Sequence, residues 1–168
     1  MNGSIVVMGV AGCGKSSLGA AIAQAEGLPL VEGDHFHSPA SREKMSRGTP
    51  LTDEDREGWL ATLGEQLRAQ PQGIVLTCSA LKRRYRDTLR AAAPGLRFAF
   101  LEITRDDALA RVAGRSSHFF SASLVDSQFA TLESPVGEPG VLRLDARLPL
   151  EQLQQQASGW LHGQEASA

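Results

Sequence analysis

The apolar run Ser4-Ile5-Val6-Val7-Met8 leads directly into Gly9-Val10-Ala11-Gly12-Cys13-Gly14-Lys15-Ser16, and this junction leaves the chain few ways to fold. The string satisfies G-x-x-x-x-G-K-[ST] in the context that motif requires, a strand before it and an amphipathic helix after it. Glycines at 9, 12 and 14 let backbone N–H groups close around a chain of phosphates with no Cβ in the way. The start of the following helix adds its partial positive charge. Lys15 is placed to reach the β- and γ-phosphates, and the Ser16 hydroxyl to ligate Mg²⁺. Gly9, Gly12, Cys13, Gly14, Lys15, Ser16 and Ser17 are therefore the candidate nucleotide contacts, with ATP and Mg²⁺ as the expected cofactors.

The remaining sequence reads as alternating strands and helices. A helix from Lys15 to Glu26 carries Leu18, Ala21, Ile22 and Ala25 on one face and stops at Gly27. Pro29–Glu32 is a short strand closed by Gly33-Asp34. A helix from about Asp53 to Gln70 starts at a Thr52 cap and carries Leu60, Leu63 and Leu67 at core spacing. Ile74–Cys78 is apolar without alternation, as a strand covered on both faces should be. Leu81, Tyr85 and Leu89 mark the next helix, and Phe98–Ile103 the fourth strand. Thr104 caps a helix to about Arg115, another follows from Ser121 to Leu132, Val141–Leu144 is the fifth strand, and Leu150, Leu153, Ala157 and Trp160 mark a last helix.

This order predicts an α/β fold with a five-stranded parallel sheet, helices on both faces and right-handed crossovers. Ligands should then sit beyond the carboxyl ends of the strands. The 168 residues suit one domain. A net charge of −2 argues against a nucleic-acid-coating surface and for small-molecule chemistry. Cys13 and Cys78 lack metal-ligand spacing and read as reduced thiols of a cytoplasmic protein. No apolar run approaches the roughly 18–20 residues of a membrane span, and the N-terminus shows no secretory signal. The tail after Leu161 reads as frayed.

A regulatory GTPase needs D-x-x-G after a strand and N-K-x-D beyond it. Asp55-Arg56-Glu57-Gly58 spells the first inside a helix, and the second does not occur. Five further segments point elsewhere: Gly33-Asp34-His35-Phe36-His37; Glu43-Lys44-Met45; Gly48 through Leu60; Cys78-Ser79-Ala80-Leu81-Lys82-Arg83-Arg84-Tyr85-Arg86-Asp87; and Arg115-Ser116-Ser117-His118-Phe119-Phe120 with Gln128 through Pro135. In this order, over about residues 4–145, they resemble the small gluconokinase family, which transfers phosphate from ATP to D-gluconate. The resemblance implies a P-loop fold similar to shikimate and nucleoside monophosphate kinases, with a three-layer α/β/α core. It further implies a substrate-binding insertion at about 38–70 and a mobile lid at about 114–135. Mg²⁺-ATP would be the donor and 6-phosphogluconate, which feeds the pentose phosphate or Entner–Doudoroff route, the product. A homodimer is the expected assembly. Members often carry Lys directly after the lid arginine; Ser116 stands there in this chain, a departure from the family's pattern at an expected phosphate contact.

Phosphoryl transfer to an alcohol needs charge neutralisation, alignment and somewhere for the hydroxyl proton to go. Asp34 is the candidate base, and the alternative is that it orders the Mg²⁺ shell together with Ser16; both readings keep it in the site. Arg56 is the first candidate for a gluconate carboxylate, since guanidinium grips it bidentately. Lys44, Lys82 and Arg86 are further candidates, the last two sharing one helix face at i, i+4. A solvated helix face is the alternative for that basic run, and it is the reading for Arg83 and Arg84. His37 and His118 are candidate contacts to sugar hydroxyls, and Gln128 a substrate contact from the helix after the lid. Zinc at His35 and His37 is disfavoured because no third ligand is evident. Trp59 and Phe129 read as packing. By resemblance, Arg111 works on adenine and Arg115 on the β- and γ-phosphates. The competing functions are another small-metabolite kinase on this scaffold, for a related sugar acid, shikimate or a nucleoside monophosphate, and a nucleotide-binding regulatory module without turnover.

Overall fold

The computed structural model describes residues 3–113 and 122–163. Its strands are β1 (Ile5–Met8), β2 (Leu30–Glu32), β3 (Val75–Thr77), β4 (Arg97–Glu102) and β5 (Val141–Asp145). All pair in parallel, in the order β2-β3-β1-β4-β5. The helices are α1 (Lys15–Glu26), α2 (Pro39–Ser46), α3 (Asp53–Ala69), α4 (Arg83–Ala92), α5 (Arg105–Ala113), α6 (Ala122–Thr131) and α7 (Leu150–Leu161). All five predicted strands are present, and their ends differ from expectation by a residue or two.

All four β1 residues are fully buried, because the strand lies between β3 and β4 with helices on both faces. α1 packs against α7, and α3 against α4. The connection leaving β1 runs through α1 towards β2, whereas the one leaving β3 runs through α4 past β1 to β4. Right-handed crossovers put these two helices on opposite faces. Adjacent strands whose connections diverge leave a crevice at their carboxyl ends. The phosphate loop, after β1, and Ser79, after β3, meet there.

α3 begins as predicted. The Thr52 side chain accepts from Asp55 N–H at 3.1 Å and the Asp55 carboxylate accepts from Thr52 N–H at 2.8 Å, a reciprocal capping box. Its inward face buries Leu63 and Leu67 completely, each contributing about 1.5–3 kcal/mol. Residues Gly33–Phe36 form a 3-10 turn that carries Asp34 and leads towards the next helix. Helix α2 was not foreseen, although Ser38 caps it by accepting from Ser41 N–H at 3.1 Å and Pro39 opens it. Its strongly polar composition hid it.

Gly33 joins β2 to the turn where the sheet passes closest. A Cβ built there would lie 2.3 Å from the Thr77 carbonyl oxygen. Gly33→Ala is therefore expected to force β2 and β3 apart and destabilise the protein by about 1–3 kcal/mol, read as a lower midpoint in urea unfolding.

Candidate active site

Helix α1 starts at Gly14, whose left-handed backbone (φ 100°) turns the loop into the helix without a side-chain cap. Its first N–H groups thus have neither an acidic side chain nor a cap in front of them, the arrangement that receives an anion. Lys15 Nζ donates to the carbonyls of Gly9 (2.9 Å) and Val10 (3.1 Å), which hold the ammonium over the loop. Ser16 Oγ donates to Glu32 Oε1 at 3.2 Å, and Thr77 Oγ1 donates to the same oxygen at 2.5 Å. Glu32 was not singled out from sequence; the Glu32-x-Asp34 spacing at a strand end was the available signal. Arg111 reaches the loop from α5. It donates to the carbonyls of Gly12 (3.2 Å), Cys13 (3.1 Å) and Ala146 (2.8 Å), tying the phosphate loop to the chain after β5. Burial pushes the Cys78 thiol up to about 12, so it is inert.

Two small cavities meet at the end of β1. One, of about 100 Å³, is lined by the phosphate loop, Lys15, Ser16, Ser17 and Asp34. The other is lined by Lys15, Asp34, His37, Met45, Leu51, Arg56, Ser79 and Gln128. Lys15 and Asp34 belong to both. Larger clefts of about 340 and 330 Å³ lie elsewhere, beside Leu161 and beside Arg147, and neither touches the phosphate loop. Chemistry, not volume, marks the site. The second cavity measures only about 20 Å³, little more than one water needs. Met45, Leu51 and Leu124 form a separate hydrophobic cluster that brings α2 and α6 together over it.

The turn carrying Asp34 is held from several sides. Trp59 Nε1 donates to the Gly33 carbonyl at 2.7 Å, and the Trp59 ring stacks on His37 with centroids 4.3 Å apart. Arg42 donates to the carbonyls of Asp34, His35 and His37. Trp59 thus packs, as expected, but also fixes the candidate base. Arg42 was missed together with its helix. Burial works against the Asp34 charge, yet the neighbouring His37 imidazole and the Lys15 ammonium outweigh it and hold the carboxyl below its ordinary value. His37 is buried with Nε2 3.6 Å from Asp34 Oδ1, and its Nδ1 has no hydrogen-bond partner among the described residues. Gln128 Oε1 accepts from Ala11 N–H at 2.7 Å, so α6 reaches the phosphate loop while lining the second cavity.

The predicted cations separate into two groups. Arg56 is buried and lines the cavity; it donates to the Tyr85 hydroxyl at 3.4 Å and lies over the Tyr85 ring. No carboxylate among the described residues pairs with it. Lys44 pairs with Asp55 at 2.8 Å, and Lys82 with Asp53 at 3.0 Å; neither lines the cavity. Tyr85 also donates a short hydrogen bond to Asp53. The expectation for Arg86 is corrected. Its side chain is 0% exposed, donates to the Ala80 and Glu133 carbonyls, and grips Glu138 at 2.6 Å. Helical spacing gave its face but not its neighbour. Arg115, Ser116 and His118 lie outside the described residues.

A phosphate loop feeding a helix on a parallel sheet, with a second cavity against its lysine, is the architecture of a P-loop kinase. A family model described as an AAA domain matches residues 5–135. A gluconokinase from Gluconobacter oxydans is 45% identical over 143 residues, covering 83% of this chain and 80% of that protein. The thermoresistant gluconokinase of Escherichia coli is 38% identical, covering 87% and 86%. The crystal structure of a gluconokinase from Sinorhizobium meliloti superposes with a TM-score of 0.88 at 48% identity, covering 95% of this chain and 91% of that one. The chain belongs to the gluconokinase family.

Glu138, which pairs with both Arg86 and Arg90, yields a test of the reassigned arginine. Burial raises its pKa, but the two guanidinium groups outweigh this and hold it below the ordinary glutamate value. A carboxyl depressed in the folded state contributes stability above its unfolded pKa of about 4.3 and loses it as pH falls through the folded value. Glu138→Gln should therefore lower stability at pH 7 and flatten its decline below about pH 4.3, read from urea midpoints across pH.

Proposed function

We propose that this chain transfers the γ-phosphoryl group of ATP to the C6 hydroxyl of D-gluconate, giving 6-phospho-D-gluconate and ADP. One observation carries the choice of acceptor. Arg56 is a buried cation without a carboxylate partner among the described residues, and it lines the cavity that Lys15 and Asp34 share with the phosphate loop. Burying an unpaired charge is costly, and an acidic ligand removes that cost. An acid with a chain of hydroxyls suits the remaining lining: His37 Nδ1, Ser79 and the Gln128 amide.

The residues then divide the work. Arg56 binds the acceptor carboxylate and sets its register. His37, Ser79 and Gln128 take its hydroxyls, with His118 as a further contact. The Asp34 carboxylate accepts the hydrogen bond of the attacking hydroxyl and takes its proton as the new P–O bond forms and the bond to the β-phosphate oxygen breaks. A lowered pKa makes Asp34 a weak base. In a loose transition state the proton leaves late, so orientation matters more than basicity. Lys15 and the first N–H groups of α1 stabilise charge on the phosphates, and Arg115 adds to this from the lid while Arg111 contacts adenine. Ser16, Asp34 and Glu32 offer hard oxygen donors that fit Mg²⁺, which characteristically takes one or two carboxylates plus substrate phosphates. When bound, the ion neutralises charge on the β- and γ-phosphate oxygens. A single kinase domain, a homodimeric assembly and a cytoplasmic location belong to the same reading; among the described residues no helix is long and apolar enough to cross a membrane.

ADP release from Mg²⁺-ATP should depend on D-gluconate and not on glucose, shikimate or AMP; turnover on another acceptor alone would overturn the assignment. Arg56→Ala should raise the gluconate KM about 30-fold or more, as loss of a charged hydrogen-bonded contact does, while leaving the KM for ATP near its original value. Asp34→Ala should lower kcat by about 100-fold or more; a kcat within a few-fold would remove Asp34 from proton transfer.

A further inference from the structure

Ala80 is the one non-glycine among the described residues with a left-handed backbone, at φ 47°. It directly follows Ser79, a lining residue of the acceptor cavity. For an L-residue with a Cβ, that conformation is disfavoured by about tenfold in population, so something must hold it. The Ala80 carbonyl accepts from Arg86 Nη1 at 2.7 Å. The same guanidinium donates from Nη2 to the Glu133 carbonyl at 2.9 Å, and from Nε and Nη2 to the two oxygens of Glu138 at 2.9 and 2.6 Å. Glu133 closes the arrangement: its N–H donates to the Leu81 carbonyl at 2.8 Å and its Oε1 accepts from Arg83 N–H at 2.9 Å. The loop after β3 is thereby clamped between α4 and the segment that follows α6.

We propose that Arg86 is a positioning residue for the transfer reaction: it holds Ala80 left-handed and thereby aims Ser79 at the acceptor. The clamp also fixes the C-terminal end of α6, the helix whose Gln128 bonds the phosphate loop, to the same acceptor loop. Arg86 acts through these backbone groups and touches neither substrate. Lysine cannot replace it, because one ammonium cannot span the Ala80 carbonyl, the Glu133 carbonyl and both Glu138 oxygens in the planar fork that guanidinium provides. The proposal rests on reading the cavity beside Asp34 as the acceptor site.

The test compares wild type, Arg86→Lys, Ala80→Gly, the Arg86→Lys/Ala80→Gly double variant and Ser79→Ala, each for kcat, both KM values and thermal midpoint. R86K is expected to raise the gluconate KM about tenfold, the population it releases, with the ATP KM changed less than twofold. Glycine adopts the left-handed turn without a Cβ penalty, so A80G alone should remain within a few-fold of wild type and should recover most of the R86K loss. Recovery of the gluconate KM without recovery of the thermal midpoint separates positioning from bulk stability. An unchanged gluconate KM in R86K, or a loss that A80G does not relieve, overturns the clamp. If R86K is too unstable to assay, Glu138→Gln, which keeps the side-chain shape, takes its place with the same expected rescue by A80G, and failure of that rescue overturns the proposal equally. An unchanged gluconate KM in S79A would instead remove Ser79 from the acceptor site, and absence of gluconate turnover in wild type would overturn the functional reading itself.

Discussion

Ile5, Val6, Val7 and Met8 have no exposed surface, and their backbone is laddered to β3 on one side and β4 on the other. Everything chemical in the molecule is measured from that strand. A slip by one residue would move its end by about 3.3 Å and reverse which face each side chain meets. The phosphate loop would then miss the turn after β2 and the loop after β3. Because β3 is fixed in register to Ile5, Val6 and Val7, and β2 in turn to β3, Lys15, Asp34 and Ser79 are brought to one crevice by the sheet and need no contact among themselves to find it. The close passage of Gly33 under the Thr77 carbonyl is the same constraint seen from β2.

Electrostatics sorts the many cations around this crevice. The protein neutralises Lys44 with Asp55, Lys82 with Asp53, and Arg86 with Glu138, and leaves Arg56 without such a partner among the described residues. A buried charge left this way is costly until a counter-charge reaches it, while a paired one already has its own. The acidic first turn of α3 serves twice here. Asp53 and Asp55 complement the helix dipole and also pair with Lys82 and Lys44.

Closure is the third element of the design. α2 and α6 come together through Met45, Leu51 and Leu124 over a cavity with room for about one water. So confined a site strengthens the fields of the Lys15 and Arg56 charges.

The phosphate loop, the helix on Lys15, the α3 cap at Thr52 and the five strands were legible in the sequence because each depends on residues a few positions apart. The resemblance of its motifs to gluconokinases identified the family for a similar reason: the motif order survives without knowledge of packing. What the sequence could not determine was which side chain faces which. The spacing of Lys82 and Arg86 was correct for a shared face, yet only the arrival of Glu133 and Glu138, about fifty positions away, shows that Arg86 is structural. Arg42 and Glu32 entered the site unannounced, since a polar helix and a strand-end glutamate carry no periodic signal. The tertiary structure alone paired the charges, because an ion pair is decided by distance in space and by burial, neither of which helical or strand periodicity encodes.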